Sequence, residues 1–111
     1  MPAYVIKKNP IYTHPVDVPV HSEATDGTGT TQRLVATFRY KSRNEVEQLE
    51  KSKPLDVLDA VLVSVAGVVD ENGAELPAND ETKAAVLQDP LAFLALVRAF
   101  WQSLAEVAVK N

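Results

Sequence analysis

The chain has 111 residues, 46% of them hydrophobic and 23% charged, a length and composition that suit one globular domain with a single modest core. It has no cysteine and only two histidines, which excludes disulfides and thiolate metal sites and puts most zinc arrangements out of reach. The net charge of -4 is uneven: residues 1–41 hold five Lys/Arg against three Asp/Glu, and residues 42–111 hold six against twelve. An acidic helical part argues against nucleic-acid binding, which calls for a basic patch.

Residues 1–41 read as a Pro-rich β part. Pro2, Pro10, Pro15 and Pro19 exclude helix and make long central strands unfavourable. Tyr4-Val5-Ile6 suits a short strand, and Val16, Val18 and Val20 alternate with Asp17 and Pro19 as an edge strand would. Ser22 to Gln32 is small and polar with Asp26-Gly27 as a turn signal, so a mobile loop is expected at about 22–32. Leu34, Ala36, Phe38 and Tyr40 then alternate with Val35, Thr37, Arg39 and Lys41, the clearest strand in the chain. A short, twisted antiparallel sheet or hairpin follows from these segments.

Residues 42–111 read as a helical part. Ser42-Arg43-Asn44-Glu45 is a capping box, and Val46 and Leu49 form the buried stripe of a helix to about Lys51. Ser52-Lys53-Pro54 begins a second helix, in which Leu55, Val57, Leu58, Val61, Leu62, Val63 and Val65 are apolar nearly all round. Its valines leave a buried strand over residues 61–69 as the alternative, and Gly67 suits a helix C-cap. Asp70-Glu71-Asn72-Gly73 is a tight turn, and Asn79 or Asp80 caps a third, short helix.

Asp89 and Pro90 open the last helix, which no Gly or Pro interrupts through Lys110. At about 100° per residue, Phe93, Leu94, Leu96, Val97, Phe100, Trp101, Leu104, Val107 and Ala108 fall on one broad face. Ala92, Ala95, Arg98, Ala99, Gln102 and Glu106 fall behind it. The expected class is α+β: a short N-terminal antiparallel sheet followed by about four helices, in a single domain over residues 1–111.

No constellation for chemistry stands out. His14 and His21 lie seven apart in the Pro-rich part and read as surface residues. Asp26-Gly27-Thr28-Gly29 is followed by neither a Lys nor a helix, so it fails the phosphate-loop and dinucleotide patterns. Asp70 to Glu75 alternates oxygen side chains, but Gly73 is fourth and Thr82 twelfth, where a calcium loop needs Gly sixth and Glu twelfth. Asp56 and Asp59 favour a helix N-terminus and need no catalytic role. No catalytic, cofactor-binding or metal residue is expected, and no enzyme.

No run is long enough to span a bilayer, since Asp59 breaks the stretch from Val57 to Val69. Lys7-Lys8 is followed by Asn9-Pro10 and not by an apolar segment, so no signal peptide and no membrane association are expected. The apolar face of the last helix is wider than one small core needs. Leu94, Val97, Phe100, Trp101 and Leu104 are therefore candidate partner-binding residues, with Val61 and Val65 behind them. The same excess suits a homo-oligomer.

The order of elements resembles the tail assembly chaperones of long-tailed bacteriophages and prophages. Three stretches carry the resemblance: Phe38 to Glu45; Ala66-Gly67-Val68-Val69-Asp70-Glu71-Asn72-Gly73 with Glu75-Leu76-Pro77; and the ending from Leu91 to Asn111. It covers residues 34–111, and Val65-Ala66 stands where the family often has a Trp. The resemblance implies a non-enzymatic protein of the host cytoplasm that oligomerises and keeps the tape measure protein soluble during tail morphogenesis. Such a protein would be absent from the mature virion. The alternative is a structural subunit retained in the virion, a head–tail connector or a tail terminator.

Overall fold

The computed structural model describes residues 10–20 and 30–110. Its elements run β1 (Ile11–Val20), β2 (Thr30–Arg39), α1 (Arg43–Glu50), α2 (Pro54–Val61), β3 (Leu62–Ala66), α3 (Asp80–Leu87) and α4 (Pro90–Lys110). The fold is α+β, a three-stranded antiparallel sheet in the order β1-β2-β3 with four helices. The strand expected at Tyr4-Val5-Ile6, the turn at Asp26-Gly27 and His21 lie outside the described residues. Of the loop expected at about 22–32, Thr30, Thr31 and Gln32 instead belong to β2.

β1 is an edge strand that contains two prolines, and the register explains how. Ile11 pairs with Arg39, Val16 with Leu34 and Val20 with Thr30. The Tyr40 N–H donates to the Pro10 carbonyl at 3.0 Å, which makes the even positions of β1 the ones that bond to β2. Pro15 and Pro19 are odd, so their missing N–H groups would have faced the open edge, and the β1–β2 ladder loses nothing. The same parity turns Val16 and Val18 into the core and leaves Thr13, Pro15, Asp17 and Pro19 exposed. Asp17 and Arg33 are direct cross-strand partners on that outer face, with Nε 2.9 Å from the carboxylate.

The second helix ends earlier than its apolar pattern suggests. α2 stops at Val61, and Leu62–Ala66 continues as β3, pairing antiparallel with β2. Ser64 stands opposite Thr37 and Leu62 opposite Phe38, so Val63 is an extra, bulged residue. The bulge changes the strand's parity, and Leu62 and Val65, three apart, both reach the core. Val57, Leu58, Val61, Leu62 and Val65 are all buried, a helix-like spacing realised half as helix and half as bulged strand. Gly67 is accordingly not a helix cap; it ends β3 with φ +79, where a residue with a side chain is strained.

The local signals elsewhere hold. Ser42 accepts from the Glu45 N–H at 3.3 Å while the Glu45 carboxylate accepts from the Ser42 N–H at 3.2 Å. Those bonds, with Lys41 3.5 Å away, hold the Glu45 carboxyl below its ordinary range. Asn79 caps α3 by accepting from the Thr82 N–H at 2.9 Å, and Asp89 caps α4 by accepting from the Leu91 N–H at 3.0 Å. Between β3 and α3, Asp70 Oδ1 accepts from the Asn72 and Ala74 N–H groups, and Gly73 takes φ +83 in a small hairpin where Val69 bridges Glu75.

α4 lies across the inner face of the sheet, mainly over β1. Ser103 lies by Tyr12 near one end of β1, and Ala92 lines the same pocket as Val18 near the other, so helix and strand run antiparallel. The buried stripe of α4 is Ala92, Leu96, Ala99, Phe100 and Ser103. That corrects the expected face: Ala92 and Ala99, placed at the back, point into the core, because small side chains let the helix approach the sheet closely. Full burial of side chains such as Phe38, Phe100, Leu58 and Leu96 contributes about 1.5–3 kcal/mol each.

Candidate partner-binding surfaces

Two flanks border the buried stripe of α4, and they face different surroundings. Phe93, Val97, Trp101 and Leu104 are half-buried at the edge of the core. Val97 and Trp101 line a groove of about 230 Å³ with Leu49, Pro54 and Val57 of α1 and α2. On the other flank, Leu91, Leu94, Ala95, Arg98 and Gln102 face the β1 edge across a cleft of about 730 Å³. Leu94 is 51% exposed there, the one large apolar side chain that α4 presents openly among the described residues. His14, expected on the surface, is half-buried and lines this cleft.

The five α4 candidates therefore divide. Phe100 is fully buried and belongs to the core of this fold. Its ring meets Phe38 edge-on at 5.5 Å and Trp101 at 5.0 Å. The series continues from Phe38 to Tyr12 at 5.8 Å and from Tyr12 to Tyr40 at 4.4 Å, so five aromatic rings run from the end of the β1–β2 hairpin into α4. Leu94 is open, and Val97, Trp101 and Leu104 each show part of their surface. Val61 and Val65 are fully buried core residues.

A polar link ties α4 to the sheet. The Ser103 hydroxyl donates to the Phe100 carbonyl at 2.6 Å, which uses its only proton. The Tyr12 hydroxyl, 2.6 Å from Ser103 Oγ, is therefore the donor of that contact. Burial raises the Tyr12 pKa above the usual phenol value, although the bond to Ser103 opposes the rise. Tyr12 is thus a neutral donor that fixes the helix.

A further pocket of about 570 Å³ opens at the far end of the sheet. Val18 and Leu34 form its sheet side, Val68, Val69 and Leu76 its hairpin side, and Ala85, Val86 and Ala92 its helix side. Sequence reasoning missed it, because its walls come from β1, β2, α3, α4 and the hairpin, and no single stretch carries a signal. Asp89 and Arg33 stand at its rim, the guanidinium of Arg33 being held by Asp17.

Among the described residues no group of three or more His, Asp or Glu is placed to hold a metal ion, and no single helix is long and apolar enough to cross a membrane. The Asp17 carboxyl lies below its ordinary range because the Arg33 guanidinium hydrogen-bonds to it on the exposed face of the sheet. Comparison of the chain with protein-family models, with curated proteins and with solved structures returns no match.

Proposed function

We propose that this chain is a bacteriophage tail assembly chaperone, a non-enzymatic protein that binds the tape measure protein in the host cytoplasm and keeps it soluble until the tail forms. The observation that carries the reading is the apolar surface left on α4 after the core is filled. Leu94 is 51% exposed, and Val97, Trp101 and Leu104 remain half-buried beside a groove. A long, aggregation-prone helical client is held by surfaces of that kind, apolar side chains at helical spacing flanked by shallow grooves. The resemblance over residues 34–111 supplies the client, and the same surface serves self-association into a homo-oligomer.

Co-expression with the tape measure protein tests the proposal. The expected result is co-purification and a larger soluble fraction of the client, both reduced by Leu94→Ser combined with Trp101→Ser. An unchanged soluble fraction with no co-purification overturns it. Mass spectrometry of purified virions separates the chaperone from a head–tail connector or tail terminator, since a chaperone is lost from the finished particle and a structural subunit is retained.

A further inference from the structure

The cleft between α4 and the β1 edge differs in charge from the helical part around it. Residues 42–111 hold six Lys/Arg against twelve Asp/Glu, yet from Pro90 to Ala105 the only charged residue is Arg98. Arg98 is exposed, lines the cleft and forms no ion pair among the described residues. Asp17 and Arg33 also line it, and they neutralise each other through bonds of 2.9 and 3.4 Å. His14, the remaining titratable group of the lining, brings no negative charge in either protonation state. The cleft is left with an uncompensated cation at its α4 wall.

Arg98 stands in a column of side chains. Leu94, Arg98 and Gln102 are spaced four apart and all exposed, so they stack along one flank of α4 as an apolar group followed by two groups with N–H donors. A guanidinium takes a carboxylate through two parallel N–H···O bonds, and the Leu94 side chain one turn away offers apolar contact. Across the cleft, Pro15 and Pro19 present no N–H at the open edge of β1, so an extended chain finds no continuous ladder there. The surface is matched by a helix that carries an apolar and an acidic side chain one turn apart. The volume of about 730 Å³ gives room for such side chains.

We infer that this cleft docks an acidic amphipathic helix of a partner protein, with an apolar side chain on Leu94 and an Asp or Glu carboxylate on Arg98. The inference rests on the α4 surface proposed above, to which Leu94 belongs, and specifies the charge of the segment bound on this flank.

The test uses two synthetic helical peptides, one built from Leu and Glu and its counterpart from Leu and Lys, added to the full chain labelled with 15N. The net charge of -4 by itself favours the basic peptide, so a preference for the acidic one at the cleft can come only from the groups that line it. The Leu/Glu peptide is expected to move the amide signals of Thr13, Leu94, Ala95, Arg98 and Gln102, whereas the Leu/Lys peptide leaves them in place. Arg98→Gln is expected to weaken binding about fivefold, the effect of one exposed ion pair, and Arg98→Glu to transfer the preference to the Leu/Lys peptide. Arg39→Gln makes the same change of net charge at an exposed residue outside the cleft and leaves binding unchanged. Equal movement of the cleft signals by both peptides, full affinity in Arg98→Gln, or movement by laurate but not by the Leu/Glu peptide overturns the inference. Signal changes confined to Val97, Trp101 and Leu104 overturn it too, while leaving the apolar α4 reading in place. Leu/Glu binding without co-purification of the tape measure protein supports the cleft and overturns the client.

Discussion

Two regions of the molecule hold their shape by different means. Where α4 meets the sheet, five residues of one helix stripe are buried, the aromatic rings are in series, and Tyr12 is bonded to Ser103. In residues 67–89, Thr82 alone is buried, and the backbone is organised by the side chains of Asp70 and Asn79. The first region gains its stability from removing apolar surface from water, the second from local hydrogen bonds to its own backbone. Each region keeps one large apolar side chain open to water, Leu94 on α4 and Val69 in the hairpin, and binding is proposed along the flanks of α4.

Three measurements break or sharpen that contrast. Phe100→Ala removes a fully buried ring from the centre of the first region and is expected to destabilise the whole fold by about 3–5 kcal/mol in denaturant unfolding. A smaller loss would mean that the core collapses around the cavity. Asn79→Ala removes the cap of α3 and is expected to cost about 1 kcal/mol. Hydrogen exchange should show that cost as faster exchange over Asp80–Leu87, with the amides of α4 unchanged; equal acceleration in both would unite the regions.

The smallest effect concerns acid. Asp17 and Glu45 have carboxyls held below their ordinary range by Arg33 and Ser42 respectively. A folded pKa below the unfolded one stabilises above the unfolded value, and that contribution is lost as pH falls through the folded pKa. Stability should thus decline below the usual carboxylate range, and Asp17→Asn with Glu45→Gln should flatten the decline; an unaltered acid limb would show that other carboxyls govern it.

What could be read from the sequence was mostly what neighbouring residues decide. The capping box at Ser42, the cap at Asn79, Asp89-Pro90 before the long helix and the alternation of Leu34, Ala36 and Phe38 are local devices, and each appears in the structure. The switch from α2 to β3 was legible only as the alternative, a buried strand over residues 61–69, which the structure adopts at Leu62–Ala66. Val57, Leu58, Val61, Leu62 and Val65 repeat as a helix does, and only pairing with β2 and a bulge at Val63 make the last of them a strand. The face of α4 was misjudged for a related reason. Bulk marks a core face in sequence, but the sheet selects the side carrying Ala92 and Ala99 because it comes closest there. Of the candidate contacts, Phe100 carried the same sequence signal as Leu94, yet one is sealed and the other open. The pocket at the far end of the sheet needs five elements together and has no signature in any one of them.

The two prolines of β1 bear on how this chain could assemble. A strand edge with free N–H groups at every second residue is a template on which another strand can grow, and growth of that kind is hard to stop. With Pro15 and Pro19 at the outward positions, the β1 edge lacks two of those donors, so an incoming backbone could not be fully bonded there. Association through that side must then rely on side chains, whose contacts are finite and reversible. For a protein proposed to handle an aggregation-prone client, such an edge resists being recruited into the aggregate it is meant to prevent.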